Sequence, residues 1–396
     1  MQLAACPDPR HAVSPQIRRN RRFERFVQIL LAVAVVVMLA EFVVIGRQGR
    51  ASTDAYSDGF RHVASAIPGR RPLILDALEG KQSDALALLD EGADPSMADA
   101  EGWTPLIAAA LHGEAELVDA LVKSGADINA QTRAGKSPLT YAIQGSHPDL
   151  AAKFIALGAN PNIADKGGAT PLMWASLADD LPTAKKLIAA RADVNLRDAR
   201  GYTALAVAVL SDSEDMVDLL LAHGADPSIG PNVEHASPLE LAINSNELDI
   251  AKELIAAGAP IDESTVDGFT PLMIAVQNNR ADIVRMLIAR GADVGARTDD
   301  SMTALCFACA NPNDEIDIVR LLIARGADVN RGSSDETTPL MYASSFGHAD
   351  IVRLLLSKGA NPKVITNRGM TALHWADGEG YESTIGAQLI KAGATE

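Results

Sequence analysis

The chain is poor in cysteine, with 3 in 396 residues, and poor in aromatics, at 4%. So few cysteines exclude a disulfide-held scaffold, and 30 glycines with 20 prolines exclude collagen-like and low-complexity chains. It also lacks positive charge: 35 bases face 51 acids, for a net charge of -16. The shortage is uneven. Residues 1–50 hold 8 Arg and no Lys against Asp8, Glu24 and Glu41. The remainder therefore carries 27 bases and 48 acids, and so acidic a body repels nucleic acid and anionic lipid.

Charge is absent altogether from residues 26–40 (FVQILLAVAVVVMLA). With Glu41 as the one interruption the run extends from Phe26 to Gly46, about 31 Å of helix at ~1.5 Å per residue, enough to span a bilayer. The spacing predicts a single transmembrane anchor at 26–46, between a basic tail at 1–25 and a linker at 47–70 that contains a short helix over 54–66. The alternative is a cleaved signal peptide, cut near Gly49-Arg50-Ala51, followed by secretion. Arg18, Arg19, Arg21, Arg22 and Arg25 precede the span, while Arg47, Arg50 and Arg61 follow it diluted by Asp54 and Asp58. That bias keeps the N-terminus cytoplasmic and places the rest outside the cytoplasm, in the periplasm if the source is bacterial.

From residue 71 to 396 the chain repeats itself. Thr104-Pro105-Leu106, Ser137-Pro138-Leu139, Thr170-Pro171-Leu172, Thr203-Ala204-Leu205 and their successors to Thr371-Ala372-Leu373 recur with a period of 33, stretched to 34 and 35 once each. Gly125-Ala126-Asp127, Gly224-Ala225-Asp226 and Gly291-Ala292-Asp293 keep step. Thr or Ser caps a helix N-terminus, Pro at the first helical position loses no useful N–H, and the Gly of Gly-Ala-Asp ends a second helix in left-handed conformation. Such a unit cannot bury its apolar faces alone, so about ten units stack to share a core.

This pattern resembles the ankyrin repeat family. The resemblance implies an α-class repeat solenoid of helix-turn-helix units with hairpin fingers, and a partner-binding concave face built from fingers and first helices. It also implies an interaction scaffold rather than an enzyme, with no cofactor and no metal. Departures exist. The family's His after TPL stands only at His374, Arg191 replaces one helix-ending Gly, and the finger Gly becomes His235, Ser301 and Glu336.

Catalytic readings are weak. Cys306-x-x-Cys309 lies in a slot that elsewhere holds Ala110, Ile143, Ser176, Val209, Ile243, Val276 and Ser344, which is a packing pattern. No HExxH or second cysteine pair accompanies it. His112, His147 and His348 fall in inter-helix turns with structural roles. Arg331-Gly332-Ser333-Ser334 and Gly167-Gly168 are finger turns without a nucleophile elbow or phosphate-loop context.

The residue before each capping Thr or Ser is expected to project from a finger toward the partner. Trp103, Tyr202, Phe269, Met302 and Met370 are the apolar members of that set, with Lys136 the cation. Fingers between 228 and 337 are acidic, and Asp299, Asp300, Asp335 and Glu336 are expected to face a basic patch on the partner. Fingers between 98 and 202 carry Arg133, Lys136, Lys166, Arg197 and Arg200 against four acids. A further functional reading shares these features, an inhibitor or protective protein for one enzyme or toxin; another, an enzyme built on the repeats, has no residues at the right spacing behind it.

Overall fold

The computed structural model describes residues 73–231, 236–313, 315–377 and 382–394. The anchor at 26–46, the basic tail and the linker with its short helix lie outside the described residues. Among the described residues, no helix is long and apolar enough to cross a membrane. They also contain no strand.

The described residues fall into two compact units, the first ending at Pro231 and the second beginning at Ala236. The N-terminal unit contains five helix pairs. Its first helices are Leu73–Leu78, Pro105–His112, Pro138–Gln144, Pro171–Leu177 and Ala204–Leu210. Each is followed by a second helix: Gln82–Asp90, Ala115–Lys123, Pro148–Ala156, Leu181–Ala189 and Glu214–Ala222. The C-terminal unit repeats the plan with first helices Pro238–Ser245, Pro271–Gln277, Ala304–Ala310, Pro339–Ser345 and Ala372–Asp377. Their partners are Leu248–Ala256, Ala281–Ala289, Ile316–Ala324, Ala349–Ser357, and a π turn at Glu382–Gly386 that runs into Ala387–Lys391.

Local chemistry sets these boundaries. Thr104, Ser137, Thr170, Thr203, Ser237, Thr270, Thr303 and Thr338 each accept the backbone N–H three residues on. Such a cap is worth about 1 kcal/mol. The second helices end where the backbone turns left-handed, at Gly125, Gly158, Gly224 and Gly291. Arg191 holds the same conformation at φ 66° despite its side chain. Ser301 and Glu336, which replace the finger Gly, also keep positive φ. The turn geometry therefore survives the substitutions, at some backbone strain.

The short first helices are buried nearly all round, whereas the second helices bury one stripe, as in Ile283, Val284, Leu287 and Ile288. Each first helix packs on its predecessor and successor within the unit. In the inter-helix turns, imidazole nitrogens tie each repeat to the one before: His112 to the Leu78 carbonyl, His147 to Leu111, and His348 to Asn311, at 2.8–3.0 Å. The histidines in the turns are structural, as expected.

Candidate functional site: the finger and first-helix face

Each finger is a tight loop closed by a backbone bond across its base, such as Asp99 N–H to the Trp103 carbonyl and Thr298 N–H to the Met302 carbonyl. Neighbouring fingers are joined by a single rung. Arg133 N–H donates to the Glu101 carbonyl, Lys166 to Ala134 and Ala199 to Gly167 in the N-terminal unit. Asp299 to Asp267, Ser334 to Asp300 and Asn367 to Asp335 do the same in the C-terminal unit. A β-carbon on Gly135 would lie 2.8 Å from the Lys166 nitrogen, which explains why glycine stands there. A second ladder runs along the finger bases. The side-chain oxygens of Asn129, Asn162 and Asn195 accept the backbone N–H of Asn160, Asp193 and Asp226.

At three positions the residue ahead of the cap lies on a first-helix residue of the next repeat, 38 positions on. Trp103 meets Tyr141 with ring centroids 4.7 Å apart, and Phe269 meets Phe307 at 5.2 Å. The Lys136 ammonium sits 4.8 Å from the Trp174 ring centroid. Where two extra residues lengthen the repeat, Met302 meets the Tyr342 hydroxyl, with the sulfur 3.9 Å away. These clasps knit adjacent repeats, and the exposed edge of each clasp forms the surface of the face.

The expected projecting residues therefore divide. Trp103, Phe269 and Met370 are half-buried and keep an accessible edge. Tyr202 and Met302 are corrections: at 7% and 3% exposure they are part of the packing and not projecting anchors. Met302 is drawn in by Tyr342, and the Tyr202 backbone N–H is held at 2.8 Å by the buried Asp198 carboxylate. The Tyr202 ring still carries the Arg200 guanidinium at 5.2 Å from its centroid.

The acidic set divides similarly. Asp299 and Glu336 are exposed, and Asp300 is half-buried with its carbonyl in the finger rung. Asp335 closes its own finger by accepting the Ser333 hydroxyl at 2.6 Å and the Thr337 N–H at 3.3 Å. Burial works against ionising that carboxyl, but those hydrogen bonds outweigh it and hold Asp335 below the usual carboxylate range. It acts as a finger clamp more than as a free charge.

Residues that sequence reasoning passed over complete the face. Gln144 lies one helical turn beyond Tyr141, so both share one side of their helix. It is 5% exposed, and neither its amide nitrogen nor its amide oxygen has a hydrogen-bond partner. The corresponding slot in the C-terminal unit is Asn244, whose amide oxygen accepts the Asn278 side chain at 2.7 Å. The residue that would play Asn278's part for Gln144 is Ala178, which offers nothing. Trp174 is 4% exposed and its indole N–H is likewise unpartnered. Leaving such groups buried and unpaired costs about 1–3 kcal/mol each. The legible signals were a polar residue in a column held elsewhere in the N-terminal unit by Leu111, Leu177 and Leu210, and the 38-residue spacing of the clasps.

The two clustered cysteines are both free thiols at 0% exposure. Cys306 accepts the Thr303 hydroxyl, and burial pushes its thiol up and that of Cys309 well up. Packing is what these cysteines do. The folded chain should accordingly resist alkylation by iodoacetamide at Cys306 and Cys309 at pH 8 and react only once unfolded. Fast modification of either thiol in the native chain, read by peptide mass spectrometry, would count against a packing role. Among the described residues no group of three His, Cys, Asp or Glu is placed to hold a metal ion.

The face and the repeat geometry define a class. The sequence profile described as "Ankyrin repeats (3 copies)" matches residues 73–165, 144–231, 228–298 and 305–394. The chain belongs to the ankyrin repeat family. Among solved structures it is similar to the ankyrin repeat domain of Bcl-3, described as a unique member of the IkappaB protein family. The similarity has a TM-score of 0.51 at 26% identity, covering 56% of this chain and 99% of that one. No curated protein sequence matches the chain. Ankyrin repeats generally mediate protein–protein interaction, and that is the general role of this fold here.

Proposed function

We propose that the chain is a membrane-anchored interaction scaffold that docks a protein partner on its finger and first-helix face. The observation that carries the docking face is the set of clasps within each unit, Trp103 and Lys136 in the N-terminal one and Phe269 in the C-terminal one, where Met370 is also half-buried. Aromatic anchors of this kind dominate binding energy at interfaces. Exposed Asp299 and Glu336 add rim charge that steers a basic patch and is screened by salt. Phe269→Ala is expected to weaken binding by on the order of 1–3 kcal/mol, while neutralising Asp299 chiefly slows association.

The anchor reading rests on the uncharged run at 26–40 and the arginines before it. It places the N-terminus in the cytoplasm and the repeats outside it. Alkaline phosphatase, active only after export, fused at residue 70 or residue 396 should be active. Inactive fusions with active cytoplasmic reporters at the same joints would reverse the topology, and release of a protein starting near residue 52 would replace the anchor by a cleaved signal.

A further inference from the structure

We propose that the finger tips of the C-terminal unit receive a basic segment of the partner, with one aliphatic side chain seated on Val266 and flanking Lys or Arg side chains on the carboxylates around it. The proposal rests on the docking-face reading above and names the partner's chemistry. Val266 is 64% exposed, the most exposed of the large apolar side chains among the described residues. It stands at the tip of a finger, in a turn that the Gly268 N–H closes on the Thr265 carbonyl at 2.9 Å. Such turns favour Gly, Asn, Asp or Ser. The same slot in other fingers holds small or polar residues such as Ala100, Lys166, Ser334 and Asn367. Neither packing nor turn chemistry therefore asks for a valine here. Phe269, at the base of the same finger, is half-buried with its ring on Phe307, so this finger carries two accessible apolar side chains.

An exposed valine alone would need no explanation; its setting does. Asp267 follows it directly and Glu263 precedes it in the same finger. The Asp299 N–H donates to the Asp267 carbonyl at 3.2 Å, which holds the tip of the next finger alongside. Glu263, Asp267 and Asp299 are all exposed, and among the described residues none of their carboxylates has a hydrogen bond or ion pair. The N-terminal unit differs: its finger carboxylates Glu101 and Asp198 are answered by Arg133 and Arg200, each at 3.0 Å. Of the finger cations in the C-terminal unit, Arg297 is bonded to the Ser301 carbonyl at 3.3 Å, and Arg331 and Arg368 stand on the two fingers that follow. Carboxylates so grouped repel one another and draw cations. Since no group of three His, Cys, Asp or Glu among the described residues is placed to hold a metal ion, the fitting cations are ammonium or guanidinium groups on long stems. An aliphatic residue between two such stems covers Val266.

The test uses the full chain in non-ionic detergent micelles and fluorescence anisotropy with labelled synthetic peptides of equal length, alternating Lys-Leu, Lys-Ser or Glu-Leu. The Lys-Leu peptide should bind most tightly, and more weakly as salt is raised. Val266→Ser should weaken it by about fivefold or more while leaving Lys-Ser binding unchanged. Asp267→Asn combined with Asp299→Asn should weaken both lysine peptides by about fivefold or more. These variants should keep the parent's thermal midpoint, since the altered side chains are exposed, and that separates loss of contact from loss of fold. Lys-Leu binding that is no tighter than Glu-Leu binding, or that is unchanged in both variants, overturns the proposal. Tighter binding of the Glu-Leu peptide that is lost on Phe269→Ala overturns the proposal but leaves the docking face standing. Lys-Leu binding that is lost only on Leu157→Ser, at the exposed end of a second helix, overturns both.

Discussion

Raising the pH from 5 to 9 should destabilise the C-terminal unit, and Glu240→Gln should abolish most of that loss. Glu240 occupies the slot after Ser-Pro-Leu at the start of its helix and is 3% exposed. Its carboxylate accepts the Ser237 backbone N–H at 2.8 Å while Ser237 caps the helix in return, a capping box. Burial pushes the Glu240 carboxyl up to about 8; the Ser237 N–H opposes the rise and the Glu263 carboxylate adds to it. The folded state thus holds the proton more tightly than the unfolded chain, where the ordinary value is 4.5. The stabilisation is complete below the unfolded value and is lost as pH climbs through the folded one. At about 1.4 kcal/mol per unit the loss approaches on the order of 4 kcal/mol. Glutamine keeps an acceptor for Ser237 and never ionises. Urea unfolding at pH 5, 7 and 9 should therefore show wild type and variant alike at pH 5 and diverging by several kcal/mol at pH 9. Parallel curves at all three would contradict the assignment. Glu114, 8% exposed with one carboxylate oxygen unpartnered, is pushed by burial to about 7 and adds a smaller loss of the same sign between its ordinary 4.5 and that value.

Leu272→Ala should cost about 2–5 kcal/mol. Leu272 is 0% exposed in the first helix Pro271–Gln277, which packs between the first helices on either side of it. Truncation leaves a cavity shared by three repeats, and repeat arrays are held by such nearest-neighbour interfaces. Cys306→Ser with Cys309→Ala should cost far less, since both are small side chains packed in a buried slot and serine keeps the polar contact of Cys306 with Thr303. Thermal unfolding of the three proteins side by side checks the ordering. A Leu272→Ala variant as stable as the parent would mean that its interface is not the one that holds the stack.

The periodic features were legible in the sequence because each repeat must satisfy the same local demands. A Thr or Ser at each cap and a Gly at each left-handed exit follow from backbone chemistry alone, and the structure places them so. What was not legible follows from contacts between repeats. Tyr202 and Met302 looked like their neighbours Trp103 and Phe269 in register, yet they are buried, and for Met302 the neighbour that decides it is Tyr342, 40 positions on. That Gln144 is buried without a hydrogen-bond partner depends on Ala178 standing in the next repeat where the Asn244 column has Asn278. Asp335 read as a surface charge and proved to close its own turn. His374 shows the same limit: its ring meets the Thr371 hydroxyl at 2.7 Å, which caps its own helix.

Position-resolved photo-crosslinking tests the docking face most directly. A photoreactive amino acid placed singly at Lys136, Phe269 or Met370 in the full chain should form an adduct with the same partner protein. The same residue placed at Arg285 or Arg353, on the exposed side of the second helices, should form none. Adducts from Arg285 and Arg353 without any from the three finger positions would contradict the account.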